Sequence, residues 1–281
     1  MKYNELLNNA RDNGFAVPQV NLNEIDWIEP IIKAANKMKS PIIIATSDNL
    51  INSLGGYEFV CQTIKNKTRT MQVNIPIKIH LDHSTSIANC KKAVDVGYDS
   101  VMFDGSKLDI IENVEKTSKV ATYAHKNDVS VEGEVGGIGG KEDGIEGTIK
   151  YASIDDCIAL SEKASVDILA PALGSAHGEY KGEPDLGFEL MKQINDTLQQ
   201  PLALHGATGI SDNDLKHAIQ LGHAKINFNT EVKKAWAQVL RTVLNNNPEL
   251  YEPQKIIQPC KQAIEDAVVN LIKKCGSENK G

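Results

Sequence analysis

The 281-residue chain predicts an α/β fold, a (β/α)8 TIM barrel with an additional C-terminal helix. Three observations carry that expectation. Strand-like apolar runs alternate with helix-spaced segments along almost the whole sequence, the pattern of a parallel sheet. Eight such units can be counted, and eight in this length suit a barrel. Three histidines stand at or just past the ends of three of the runs, Ile75-Pro-Ile-Lys-Ile-His-Leu-Asp-His83, Val166-Asp-Ile-Leu-Ala-Pro-Ala-Leu-Gly-Ser-Ala-His177 and Pro201-Leu-Ala-Leu-His205. A doubly wound open sheet is the alternative that the strand count leaves open.

In order, Phe15 to Val20 reads as the first strand, and Asp26 to Met38 has helical spacing at Ile28, Ile31, Ile32 and Ala35. Pro41 to Thr46 is an apolar run of buried-strand type, followed by a helical stretch near Tyr57 to Ile64. The third strand ends at His80 to His83, and Ile87 to Val96 is helical. Ser100 to Asp104 and Val129 to Glu132 are the fourth and fifth strands, with a helix of about four turns between them. The last three strands run near Asp167–Ala172, Leu202–His205 and Ala224–Phe228. Glu252 to Lys274 is the additional helix, and Gly276 to Gly281 is expected to fray. No Gly/Ser linker divides the chain, so one domain over residues 1–281 is expected.

The net charge of −7 argues against a polyanion-binding face, which excludes nucleic acid as an expected partner. No apolar stretch approaches the roughly 20 residues that span a bilayer, and Met1 to Glu5 leads into a mixed polar segment with no signal-peptide core. The five cysteines (61, 90, 157, 260 and 275) are scattered and odd in number, without a C-x-x-C pair. They suggest neither a disulfide framework nor a thiolate metal site. A cytoplasmic enzyme is the expectation.

Barrel active sites form where the strands end, so the residues at those ends carry the chemistry. They are Asp82 and His83, Asp104, Glu132 and Glu134, His177 and Gly178, His205, and Asn227 to Thr230. Three imidazoles with an open fourth position are the ligand set of a catalytic zinc. A single strand-end histidine is more often satisfied by a local hydrogen bond, but three sharing that position favour convergence. Neighbouring residues on a regular strand face opposite ways, so Asp82 and His83 reach one pocket only where the strand breaks.

Two loops suit phosphate. His205-Gly-Ala-Thr-Gly209 precedes Ser211 to Asp214, an acidic variant of the capping box, and Asn227-Phe-Asn-Thr230 stands at a helix start. Amides at helix N-termini bind anions. The glycine-dense run Glu134 to Gly144 is expected to be a mobile loop. It serves either as a plain connection or as a lid that carries Glu142 or Asp143 into the site.

Taken together, the segments His80–His83, Val131–Asp143, Ala170–Pro184, Leu204–Ile210 and Lys225–Glu231 closely resemble class II (zinc-dependent) ketose-bisphosphate aldolases. The likeness runs from about Ala16 to the C-terminus and is nearest the Gram-positive type of bacterial fructose-1,6-bisphosphate aldolase. The resemblance implies reversible cleavage of D-fructose 1,6-bisphosphate to dihydroxyacetone phosphate and glyceraldehyde 3-phosphate, a step of glycolysis and gluconeogenesis. Tagatose-1,6-bisphosphate and 6-phospho-5-dehydro-2-deoxygluconate aldolases share most of these motifs, and a non-catalytic aldolase-like binding protein is the alternative of another class.

The same resemblance implies catalytic Zn2+ on His83, His177 and His205, with Asp104 and Glu134 at an alternative metal position and room for a second divalent or monovalent cation. Asp82 matches the acid–base for the scissile hydroxyl, and Glu142 the group that moves the proton of dihydroxyacetone phosphate. Gly178, Lys181, Gly206, Ala207, Thr208, Asn227, Phe228, Asn229 and Thr230 match the phosphate-side pocket, and Asn21 and Ser47 the cleft wall. A homodimer or homotetramer is implied. Two positions depart from the family pattern: Gln254 stands where an arginine meets the distal phosphate, and Lys107 follows Ser106 where a histidine is usual. Glutamine lacks the charge and the fork of a guanidinium.

Overall fold

The computed structural model describes residues 1–281 apart from 143, 144, 179, 181 and 183, and only the backbone of the remainder of 141–147. The chain opens with α1 (Tyr3–Asp12), then β1 (Val17–Asn21), α2 (Ile28–Met38), β2 (Ile42–Ser47), α3 (Asp48–Ile51), α4 (Tyr57–Thr70) and β3 (Ile77–Ser84). Next come α5 (Ile87–Asp95), β4 (Ser100–Phe103), α6 (Ile110–His125), β5 (Ser130–Val135), β6 (Gly139–Glu142) and β7 (Ile145–Gly147). After α7 (Ile154–Ala164) follow β8 (Ile168–Pro171), β9 (Ala176–His177), α8 (Phe188–Leu198), β10 (Leu202–Leu204) and α9 (Asp212–Gln220). The chain finishes with β11 (His223–Phe228), α10 (Thr230–Asn246) and α11 (Pro253–Lys274).

Eight of these strands close a parallel barrel in the order β1-β11-β10-β8-β5-β4-β3-β2. They are the eight that the sequence predicts, and α11 is the additional helix. The open-sheet alternative fails because β1 pairs with both β2 and β11. Strand alternation divides the apolar residues between two cores. Ile42 and Ile44 of β2 join the layer between barrel and helices, whereas Ile43 points to an inner cluster with Val17, Ile168, Ala203 and Ala224.

That inner cluster is sealed by α1, which the sequence reading passed over as a polar segment. Tyr3, Leu6, Leu7 and Ala10 lie at helical spacing on its buried face and plug the floor of the barrel. Burying a leucine in this way contributes about 1.5–3 kcal/mol.

Two further expectations are corrected. The glycine run after β5 is not a loop without structure: β6 pairs antiparallel with β7 and parallel with β9. Its glycines serve close approach rather than freedom. Gly140 has φ +82°, and a Cβ there would lie 2.0 Å from the carbonyl oxygen of His177. The C-terminal tail does not fray either. Ser277 is buried and its hydroxyl meets Ser40 at 2.8 Å, while Asn279 and Gly281 donate to the carbonyls of Met38 and Lys39. All five cysteines are buried free thiols. Among the described residues, no helix is long and apolar enough to cross a membrane.

Candidate active site and metal centre

Inside the barrel, polarity rises from floor to mouth. Above the apolar plug lies a buried layer with Gln19, His80, Glu132 and Lys225, and above that Asn21, Asp82, Glu134, His205 and Asn227. Side chains on non-adjacent strands meet here. Lys225 of β11 donates to Glu132 of β5 at 3.1 Å and to Asn227 at 2.9 Å, and Glu132 accepts from His205 at 2.8 Å.

The strand break that Asp82 and His83 require is present. His83 has φ +49°, and the β3–β4 register shifts between Leu81 and Ser84. A bulge of this kind turns two consecutive side chains toward one space. A left-handed non-glycine residue is costly and collects at functional sites.

The three histidines converge. His83 comes from β3, His177 from β9, six residues past the end of β8, and His205 from the residue after β10. One nitrogen of each lies within 4.8 Å of the others, and all three rings are buried. Neighbouring carboxylates fix how two of the rings are used. His205 Nε2 donates to Glu132, which leaves Nδ1 toward the cluster, and His83 Nδ1 meets Asp104 at 3.0 Å, which leaves Nε2. Those two inward nitrogens are 2.8 Å apart. Two lone pairs at that distance repel unless a proton or a metal cation lies against them.

The charges around the cluster make the same demand. Asp82, Asp104, Glu132 and Glu134 are four inward carboxylates, whereas Lys225 is the one fully buried ammonium among the described residues. Burial opposes a charge on His83, but Asp82, Asp104 and Glu134 raise its pKa well above the ordinary value. Burial, joined by the charge of Asp104, pushes Glu134 well above the usual carboxylate range, and its Oε2 makes no hydrogen bond. Burial instead lowers His177, helped by its two histidine neighbours. Asp104 and Glu134 form a second possible ligand group with His83. A buried imidazole triad with carboxylates behind it fits zinc, since metal-bound histidines are typically oriented by such partners.

Asp82 stands beside this centre, accepting from Asn21 at 3.0 Å and Asn227 at 3.3 Å. Burial works against its charge, yet His83 and Lys225 hold its pKa well below the usual range. Ser47 ends β2 directly opposite Asp82 in the ladder.

At the other side of the mouth, two helix starts differ. The Ser211 hydroxyl caps α9 by accepting from the amide of Asp214 and donating to its carboxylate. The side chain of Asn229 caps nothing on α10 and accepts instead from Asn23 at 3.0 Å. The N-cap side chain therefore makes no cap hydrogen bond to the first turn of α10, which begins at Thr230. Gly206 has φ +66° and lies so close to Ala176 that a Cβ would sit 2.4 Å from its carbonyl oxygen; Thr208 and Gly178 are partly exposed nearby. The side chains of Ala207 and Phe228 lie in the layer between barrel and helices, so only their backbones can meet a ligand. Glu142 ends β6, but its side chain, like Lys181 and Asp143, lies outside the described residues.

A cleft of about 490 Å³ opens over His83, Asp104, Glu134 and His177, with Lys107 and Lys150 on its lining. Gln254 lies elsewhere, in a surface hollow with Asp26, Ile257 and Lys261 that shares no lining residue with the cleft. Lys255 pairs with Glu252 at 3.0 Å. Sequence reasoning placed Glu132 among the strand-end acids without a partner, and gave no role to Lys225 or Lys150. The signal for Lys225 was available: it is a lone lysine in the strand run from Ala224 to Phe228.

The family profile described as fructose-bisphosphate aldolase class-II matches residues 1–280. A 6-phospho-5-dehydro-2-deoxy-D-gluconate aldolase of Shouchella clausii is 46% identical over 275 residues, covering 98% of this chain and 94% of its own. A fructose-bisphosphate aldolase of Staphylococcus epidermidis is 44% identical over 278 residues, covering 98% and 97%. Among solved structures, the YdjI aldolase of Escherichia coli K12 superimposes with a TM-score of 0.86 at 29% identity, covering 99% of this chain and 97% of that one.

Proposed function

The chain belongs to the class II fructose-bisphosphate aldolase family, and from that premise we propose that it is a zinc-dependent lyase cleaving a phosphorylated keto sugar to release dihydroxyacetone phosphate. The observation that carries this reading is the convergence of His83, His177 and His205 beside Asp82 on one bulged strand end. Zinc held by the three histidines supplies Lewis-acid stabilisation of developing oxyanion charge, so no Schiff-base lysine is needed. Asp104 and Glu134 offer an alternative position for it, and a second divalent or monovalent cation belongs to the same reading.

The protein's own groups do the rest. Asp82 takes the proton of the hydroxyl on the carbon that leaves as aldehyde, and two amides aim its carboxylate. A second acid–base must serve the carbon that stays with dihydroxyacetone phosphate, and Glu142 on the β6–β7 hairpin is assigned that role. The phosphate of that half is seated by the uncapped start of α10 and the turn from Gly206 to Thr208. Asn21, Ser47 and Asn227 line the wall between.

For the sugar, 6-phospho-5-dehydro-2-deoxygluconate is the first candidate. Relatives such as the Shouchella clausii protein carry its name, and Gln254 stands where the family pattern has a phosphate-reading arginine. Its departing half ends in a carboxylate. Fructose 1,6-bisphosphate is the second reading, favoured by the Staphylococcus epidermidis relative. A cytoplasmic homodimer or homotetramer accompanies both. Incubating zinc-loaded protein with each sugar and assaying dihydroxyacetone phosphate tests the proposal. Release from one or both is expected, and release from neither, with zinc bound, refutes it.

A further inference from the structure

The cleft holds positive charge that the catalytic groups do not use. Its inner end is lined by His83, Asp104, Glu134 and His177, and its lining also carries Lys107 and Lys150. Both lysines are exposed, and neither has an ion-pair partner among the described residues. Asp104 and Glu134 are the nearby anions, yet both pair with His83 instead. Two unpaired ammoniums thus share this lining with two carboxylates already engaged by His83, in a chain whose net charge is −7.

Both lysines are carried by backbone tied to the site. Lys107 sits on the turn after β4, where the amide and hydroxyl of Ser106 bind Asp104 at 3.1 and 2.6 Å. That carboxylate also bonds His83, so the turn and the metal centre share an anchor. Lys150 is pinned by a two-way bridge to Gly137, with hydrogen bonds of 2.7 and 2.9 Å. Gly136 and Gly137 permit this approach: a Cβ on the first would lie 2.6 Å from the Lys150 carbonyl oxygen, and on the second 2.7 Å from that of Thr148. None of the chain's three arginines lines the cleft.

Building on the aldolase reading above, we infer that Lys107 and Lys150 together seat the oxyanion at the far end of the substrate, on the half that leaves as aldehyde. Lysine binds as a compact, strongly hydrated point charge on a flexible stem, without the geometric demand of an arginine fork. Such a pair accepts a carboxylate or a phosphate, and so places specificity for the leaving half in this chain's own cleft rather than at position 254.

The test is steady-state cleavage of 6-phospho-5-dehydro-2-deoxygluconate and of fructose 1,6-bisphosphate by Lys107→Ala, Lys150→Ala and the double variant. Each single change is expected to raise KM roughly tenfold for the sugar the wild type prefers, with KM rising more than kcat falls. The double change should raise it further. Lys107→Arg should recover most of the loss. Inhibition by a hydroxamate analogue of dihydroxyacetone phosphate, which reaches only the other phosphate seat, should move less than twofold. The arm with the larger KM rise identifies the oxyanion as carboxylate or phosphate. A double variant that keeps the wild-type KM for both sugars overturns the inference while leaving the aldolase reading intact. Zinc-loaded wild type that cleaves neither sugar overturns both.

Discussion

The two ends of the barrel are made from the same eight strands and do opposite things. At the floor the inward residues are Val17, Ile43, Ile168, Ala203 and Ala224, and α1 covers them with Leu6 and Leu7. At the mouth the inward residues are Asn21, Asp82, Glu134, His205 and Asn227, all buried and polar. The floor gains by excluding water. The mouth spends that stability on desolvated carboxylates and imidazoles, which persist only because they bind one another or a cation. Between them the Glu132–Lys225 pair serves both ends: it neutralises buried charge and aims His205.

The largest expected break in this comparison is at the mouth. Asp82→Ala should lower kcat by about 10²–10⁴-fold, the usual contribution of a positioned acid–base. Zinc content by elemental analysis should stay at the wild-type level, because Asp82 is outside the histidine triad. His83→Ala should lose the zinc as well. Were Asp82→Ala to retain more than a tenth of the activity, its role would be structural.

The floor should fail in the other way. Leu6→Ala removes a fully buried side chain and should cost about 2–5 kcal/mol in denaturant unfolding, with KM of the folded fraction unchanged. A change in KM without a change in stability would mean that the plug is coupled to the site.

Glu132→Gln probes the layer between. Carboxylates behind metal-bound histidines typically contribute 10–100-fold to metal affinity, so competition with a zinc chelator should show a loss in that range. Although burial opposes its charge, Lys225 and His205 hold Glu132 ionised, well below the usual carboxylate pKa. The glutamine therefore leaves Lys225 without its counter-charge. Unchanged zinc affinity would show that Glu132 serves only the lysine.

Legibility in the sequence follows the same division. The eight barrel strands were readable because strands buried on both faces are apolar runs, and the histidines because they end those runs. Helix α1 was missed although Tyr3, Leu6, Leu7 and Ala10 are correctly spaced, since asparagines surround them and its partner surface exists only after closure. The β6–β7 hairpin was misread because glycine signals freedom locally, whereas Gly140 is required by the His177 backbone, 37 residues on. The bulge at His83 was inferable as a condition, that Asp82 and His83 share a pocket only if the strand breaks. The partnership of Lys225 with Glu132 was not, because it spans the barrel between strands that are not neighbours.

The smallest expected effect separates two helix starts that look alike in sequence. Both α9 and α10 begin at the mouth, after glycine- or asparagine-containing turns, and each could bind phosphate by its first-turn amides. The structure gives them different work. Ser211 already occupies an amide of α9, so that helix start is satisfied from within. The N-cap side chain of α10, Asn229, makes no such bond. Ser211→Ala should therefore cost about 1 kcal/mol of stability, the usual value of an N-cap, and change inhibition by dihydroxyacetone phosphate analogues by less than twofold. If the loss of the cap instead tightened or weakened that inhibition severalfold, α9 would be competing for the phosphate, and its amides would belong to the site rather than to the scaffold.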